Sequence, residues 1–197
     1  GWGYSFDRQR GGASHMTSTL LFGGTFDPVH NGHVEVPLAA MQHLGFDRVL
    51  YVPAHIAPLK EDASAPTSHR LAMLQLALGD SPWAEISTIE LDREGTSYTI
   101  DTLEALHTEG DSIRLLIGAE QWQQFQSWKR WEEIIELADP VVMPREGCDM
   151  EHERILPIHP FTATSTDIRT FVRDGASIEP LVDPRVAAYI TKHNLYM

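Results

Sequence analysis

Residues Leu20–His33 read L-L-F-G-G-T-F-D-P-V-H-N-G-H, and their order decides how the rest of the chain is read. An apolar run, Leu20–Phe22, ends in Gly23 and Gly24. An acid, a proline and two histidines three residues apart follow, and Val34–Leu44 is then apolar with a helical period. The pattern predicts a buried strand, a glycine-rich turn and a helix whose first turn carries imidazoles. At Gly23-Gly24 a backbone without side chains admits a close ligand. The free N–H groups and positive dipole end of the next helix favour phosphate. His30 and His33 share one side of a helical turn, and Gly32 between them leaves room for a base or a phosphate. The two histidines with Asp27 are also a partial zinc set, but nothing else in the chain completes it and the spacing is not H-E-x-x-H.

Working outward, strand and helix signals alternate. Arg48–Val52 is a second strand stopped by Pro53, and Pro53–Pro66, with three prolines, is a long loop. Ser68 is expected to cap a helix over Arg70–Leu78 that ends at Gly79. Glu85–Leu91 alternates roughly and is a third strand candidate, followed by a helix from Thr99 to His107. Ile113–Ile117 is a continuous apolar strand stopped by Gly118. Tryptophan-rich helical turns run from Gln121 to Leu137, and Val141–Met143 is a fifth strand. Asp183-Pro184 opens a last helix, aspartate as cap and proline at the first helical position. This alternation predicts an α/β fold, a doubly wound parallel sheet of about five or six strands with helices on both faces. Ligands of such sheets sit at the C-terminal strand ends, where the motifs fall.

The chain has 197 residues, 42% hydrophobic and 22% charged, with a formal net charge of −13. That acidity argues against a non-specific grip on nucleic acid. It also means that anionic substrates need local cations, helix N-termini and a metal against an unfavourable overall field. The single cysteine, Cys148, leaves no internal disulfide and no cysteine-rich zinc site, and fits a reducing cytoplasm. No apolar run approaches the roughly 20 residues of a membrane span. Residues 1–15, with Gly11-Gly12-Ala13-Ser14-His15 before Met16, lack the apolar core of a signal peptide and read as a vector-derived remnant. One domain is expected over residues 16–197.

A second constellation, Thr164-Ser165-Thr166-Asp167-Ile168-Arg169, places hydroxyls at a helix start running to about Asp174, with a forked cation one turn in. Hydroxyls and guanidinium suit the oxygens of a phosphate.

G-T-F-D-P-V-H-N-G-H followed far downstream by S-T-D-I-R resembles the nucleotidylyltransferase superfamily, which has a Rossmann-like fold. The H-x-G-H is also similar to the signature of class I aminoacyl-tRNA synthetases, but the chain is too short and too acidic for one and lacks a lysine-rich second signature. Arg93-Glu94-Gly95-Thr96-Ser97-Tyr98-Thr99-Ile100-Asp101-Thr102-Leu103 resembles the R-x-G-x-S-Y-T-x-D-T-L of bacterial nicotinate mononucleotide adenylyltransferases. So do Val52-Pro53-Ala54…Ala57-Pro58-Leu59-Lys60, Leu116-Ile117-Gly118-Ala119-Glu120 with Trp128 eight residues on, Val141-Val142…Arg145-Glu146-Gly147, and the ending Tyr189-Ile190…Leu195-Tyr196. Three positions depart from the family pattern: Leu59 stands for a histidine, Glu120 for an aspartate, and Ala163 for the first serine of a hydroxyl run.

The resemblance implies adenylyl transfer from ATP to nicotinate mononucleotide, with pyrophosphate released, as a step of NAD biosynthesis. It implies catalytic roles for His30, His33, Arg169 and Lys60. ATP would be bound by Gly23, Gly24, Thr25, Phe26, Gly32, Gly118, Glu120, Thr164, Ser165 and Thr166. The mononucleotide would be bound by Ser97, Tyr98, Thr99, Trp128 and Arg145, with Trp128 stacked on the pyridine ring. Trp122 and Trp131 are then core or partner residues. No resident metal is implied; Mg²⁺ rides on the ATP phosphates. A homo-oligomer is compatible with the resemblance. The acid and amide forms of the mononucleotide stay open as acceptors, and a phosphopantetheine adenylyltransferase is the other relative weighed. A catalytically silent nucleotide-binding module would be expected to lack His30, His33 or Arg169, and all three are present.

Overall fold

The computed structural model describes residues 16–55, 64–107 and 110–197. The presumed remnant at 1–15, and Leu59 and Lys60, lie outside the described residues. Five strands form one parallel sheet: β1 (Ser18–Gly24), β2 (Arg48–Pro53), β3 (Ala84–Ile86), β4 (Ser112–Gly118) and β5 (Val141–Met143), in the order β3-β2-β1-β4-β5. The order reverses between β1 and β4, and the crevice outside their C-terminal ends is the ligand position of such sheets.

Alternation along each strand feeds two cores. Leu20 and Phe22 of β1, with Val49 and Tyr51 of β2, face a core built with α1 (Asn31–Leu44), α2 (Thr67–Leu78), α6 (Ser165–Arg173) and α7 (Pro184–Lys192). Leu21, Leu50 and Val52 face the opposite core, built with α3 (Thr99–Leu106) and α5 (Trp131–Ala138). Between β4 and α5 lie the short α4 (Ala119–Gln123) and a 3-10 turn, Phe125–Ser127. Among the described residues no helix is long and apolar enough to cross a membrane.

Two expectations need correction. The third strand ends at Ile86, not Leu91. Beyond it the Asp92 N–H donates to the Thr88 carbonyl at 2.9 Å and the Thr88 hydroxyl to Asp92 Oδ2 at 2.8 Å, a local turn that takes the groups a strand ladder needs. Ser68 is not the cap of α2: the helix starts at Thr67, after Pro66, whose carbonyl accepts from the His69 and Arg70 N–H groups. The other caps follow the sequence. Gly79 ends α2, Thr164 caps α6 in a reciprocal box with Asp167, and the Asp183 carboxylate accepts from the Arg185 N–H.

Candidate active site

A cleft of about 330 Å³ opens at the C-terminal ends of β1 and β4. Gly23, Gly24, Thr25 and Phe26 form one wall, His30, Gly32 and His33 the start of α1, Gly118 and Glu120 the start of α4, and Thr164 and Ser165 the start of α6. Arg145, after β5, completes the lining. Four chain segments that are far apart in sequence thus present their turns and helix starts to one space.

His30 is the N-cap of α1 and His33 its third residue. Their rings stack, centroids 3.7 Å apart and planes 21° apart. The His30 N–H donates to His33 Nδ1 at 3.1 Å. A nitrogen that accepts carries no proton, so the neutral His33 ring bears its proton on Nε2, as a donor. His30 Nδ1 is buried with no protein partner. Burial, partly offset by the Asp167 carboxylate, lowers the His30 pKa to about 4. His33 is also held well below the ordinary histidine value, first by burial and then by the neighbouring His30. Both rings are therefore neutral at pH 7 and act as hydrogen-bond donors without a net charge.

The helix that carries them contains Pro37. Proline has no N–H, so the His33 carbonyl lacks its helical donor. The hydroxyl of Tyr51, buried on β2, donates to that carbonyl at 2.7 Å and fills the gap. Gly32 has a further reason to be glycine: a Cβ there would lie 2.4 to 2.7 Å from Phe161 side-chain atoms. The Phe161 ring also stacks on His30, centroids 5.0 Å apart. The close approach that Gly32 permits is thus, in the structure, made by Phe161. The Phe26 backbone stands at φ +50°, while its ring is buried beside Phe22, His33 and Tyr51. Backbone lines the cleft and the ring anchors it.

The α6 residues divide. Thr164 and Ser165 reach the cleft, but their hydroxyls have protein partners: Thr164 Oγ1 accepts from the Asp167 N–H and Ser165 Oγ donates to the Pro28 carbonyl at 2.8 Å. Thr166 and Arg169 do not line it. Arg169 donates to the Asp27 carbonyl at 2.8 Å and to Thr166 Oγ1 at 3.2 Å, gripping the turn. Across the mouth Arg145 forms an ion pair with Glu120, both partly exposed.

A second cleft, of about 720 Å³, is lined by Ala54, His55 and the stretch from Glu90 to Ser97. Ser97 Oγ is buried there without a protein partner, one residue ahead of Tyr98, the N-cap of α3. Glu90 accepts from the Thr102 hydroxyl at 2.8 Å, and burial raises its pKa against the pull of that bond and of Arg93 and His55. Tyr98 is exposed and lies under the Lys129 ammonium, 4.4 Å from the ring centroid, which brings the start of α3 beside the neighbour of Trp128. Trp128 itself packs on Phe125, at 5.2 Å, and lines neither cleft. Trp122 and Trp131 pack on the same Phe125. A lining residue of one cleft is joined to a lining residue of the other: the Ala54 N–H donates to the Gly24 carbonyl at 2.9 Å.

Sequence reasoning missed Phe161, Tyr51 and Arg70. Phe161 stands in a proline- and histidine-rich connection and Arg70 in an ordinary helix, so neither carries a local signal. A proline inside an otherwise helical pattern is the one hint that a donor such as Tyr51 is required.

The sequence pattern of the cytidylyltransferase-like family matches residues 21–171. A "Probable nicotinate-nucleotide adenylyltransferase" of Roseiflexus sp. (strain RS-1) is 37% identical, over 89% of this chain and 96% of that protein. A protein of the same name from Bordetella pertussis is 35% identical, over 92% and 98%. In fold, the chain is similar to Plasmodium falciparum nicotinic acid mononucleotide adenylyltransferase complexed with NaAD, with a TM-score of 0.74 at 20% identity, covering 91% of this chain and 97% of that one. With its histidine-bearing turn at the β1/β4 reversal and its similarity over nearly the whole length of these relatives, the chain belongs to the cytidylyltransferase-like family and, within it, to the nicotinate-nucleotide adenylyltransferases.

Proposed function

We propose that the protein transfers the adenylyl group of ATP to the phosphate of nicotinate mononucleotide, releasing pyrophosphate and forming nicotinate adenine dinucleotide. The observation that carries this reading is the adjacency of two clefts whose linings are hydrogen-bonded at Gly24 and Ala54. One cleft has the glycine turn and two imidazoles suited to a triphosphate. The other has an unpartnered hydroxyl at a helix start, suited to an acceptor carboxylate.

An acceptor phosphate oxygen attacks the α-phosphorus. The bond from that phosphorus to the bridging oxygen breaks in line, and the electron pair leaves on pyrophosphate. The nucleophile is already an anion, so no general base is required, and catalysis is positioning plus charge stabilisation. His33 Nε2–H and His30 donate to the phosphoryl oxygens as charge builds. The backbone of Gly23 to Phe26, with Gly32, Thr164 and Ser165, frames the triphosphate, and Arg169, steadied by Thr166, adds positive potential from behind the turn. Gly118 and Glu120 border the nucleoside end, and so does Arg145, which the resemblance in sequence gives to the mononucleotide but which lines this cleft and not the second. Ser97, Tyr98 and Thr99 receive the nicotinate carboxylate, with Lys60 as a further cation; Trp128, which lines neither cleft, is kept as the ring partner only because its neighbour Lys129 stands over Tyr98. Mg²⁺ is read as a partner of the ATP phosphates, a hard cation that keeps most of its ligands on phosphate oxygen and water. The cytoplasm, where ATP and mononucleotides are found, is the compartment this chemistry fits.

Pyrophosphate release, measured with ATP and either nicotinate or nicotinamide mononucleotide, with and without Mg²⁺, tests the reading. Mg²⁺-dependent release with nicotinate mononucleotide is expected. None from either acceptor would overturn the transfer; a preference for the amide would overturn only the acceptor.

A further inference from the structure

The turn that faces the phosphates is held by charged groups that do not line the cleft. Arg70 is 1% exposed. Its guanidinium donates to the carbonyls of Thr25 at 2.7 Å, Ala54 at 2.8 Å and Ala65 at 3.3 Å, and to Thr67 Oγ1 at 2.9 Å. Asp27, 4% exposed, supplies the opposing charge. Its Oδ1 accepts from the Ala65 N–H at 3.0 Å and from the Tyr196 hydroxyl at 2.5 Å. The Asp27 and Pro28 carbonyls are taken by Arg169 and Ser165. The carbonyls of Thr25, Asp27 and Pro28 are thus all committed to donors, two of them to guanidinium groups outside the cleft. A free carbonyl oxygen turned toward a triphosphate would repel it. If stability alone were served, two buried opposite charges would be replaceable by apolar side chains at little or no cost. A fully hydrogen-bonded buried network instead fixes one backbone geometry.

We propose that Arg70 and Tyr196 are positioning residues for phosphate binding, which hold the Thr25–Pro28 turn with its lone pairs withdrawn from the anion. This rests on the reading that the triphosphate lies in the β1/β4 cleft. Arg70→Lys keeps the charge but loses the fork that reaches four acceptors. Tyr196→Phe removes one hydroxyl.

The test is the affinity for ATP and for adenosine at fixed Mg²⁺, by calorimetry, on wild type and both variants, with a thermal melt of each. Arg70→Lys is expected to weaken ATP at least tenfold and adenosine less than twofold. Tyr196→Phe should weaken ATP threefold or more with adenosine unchanged. General loosening of the fold would weaken both ligands together, and that result overturns the proposal. So does an unchanged ATP-to-adenosine ratio in both variants, or a wild type that binds ATP no more tightly than adenosine. If Arg70→Lys does not melt cooperatively, Tyr196→Phe decides alone. A wild type that prefers ATP yet adenylates neither mononucleotide would remove the acceptor reading and leave this role standing.

Discussion

The Tyr51 hydroxyl donates at 2.7 Å to the carbonyl of His33, the group that Pro37 deprives of its helical donor. A strand residue thereby completes the hydrogen bonding of a helix, and the turn that bears both imidazoles is locked to β2 of the sheet. Loss of the hydroxyl leaves a buried acceptor unpaired. Tyr51→Phe is expected to destabilise the protein by about 1–3 kcal/mol, the cost of an unsatisfied buried group. Pro37→Ala restores an N–H, so in the double variant Tyr51→Phe should cost less than in the parent. Denaturant melts of the four proteins measure the difference, and equal costs in both backgrounds would refute the relationship.

The stacked pair His30–His33 sets a second expectation. With Nδ1 occupied by the His30 N–H, His33 has Nε2–H as its free donor, which the proposed function assigns to the reacting phosphoryl group. His33→Ala should lower kcat by about 100-fold or more, the scale of one lost transition-state donor. Pyrophosphate release at saturating substrates, on protein with an intact melt, checks this.

The depressed pKa of His30 makes stability depend on pH. The unfolded ring titrates near 6.5 and the folded one at about 4. Above pH 6.5 neither state carries the proton and the contribution is fully present. As pH falls toward 4, the unfolded chain takes up a proton that the folded one refuses, so stability drops by as much as about 3 kcal/mol. His30→Gln should flatten this part of the stability curve between pH 6.5 and 4. A curve with unchanged slope would show that the burial of His30 does not govern it.

Gly32 and Phe161 yield a fourth. A Cβ at Gly32 would meet Phe161 atoms at 2.4 to 2.7 Å, too close for any side chain, and the stack of Phe161 on His30 would have to shift. Gly32→Ala should raise the KM for ATP severalfold, and Phe161→Ala combined with it should recover part of the loss. Steady-state kinetics of the single and double variants decide, since independent effects would simply multiply.

Features written in neighbouring residues were legible in the sequence. The Leu20–Phe22 run followed by Gly23-Gly24, the Thr164–Asp167 capping box and Asp183-Pro184 each carry their signal within a few positions, and each appears where expected. Pro37 did not break the predicted helix, because the apolar period of Val34–Leu44 continues through it and Tyr51 supplies the missing donor. Partnerships across the chain were not legible. Arg70 reads as one surface charge among many until the fold delivers the carbonyls of Thr25 and Ala54 to it. Ser165 and Arg169 are conspicuous as phosphate donors in sequence, yet in the fold they bind the carbonyls of Pro28 and Asp27. Residue type announces donor capacity; only the fold assigns the acceptor.

The bond from Tyr196 to Asp27 joins residues 169 positions apart. A ribosome makes Asp27 early and Tyr196 last among the contacts that hold the turn, so a nascent chain carries both imidazoles well before it carries the support behind them. Contacts of such sequence separation are slow to form, because a long loop must close before they reward it. The last of the contacts that hold the Asp27 turn is therefore expected to close only once α7 and the residues after it have docked.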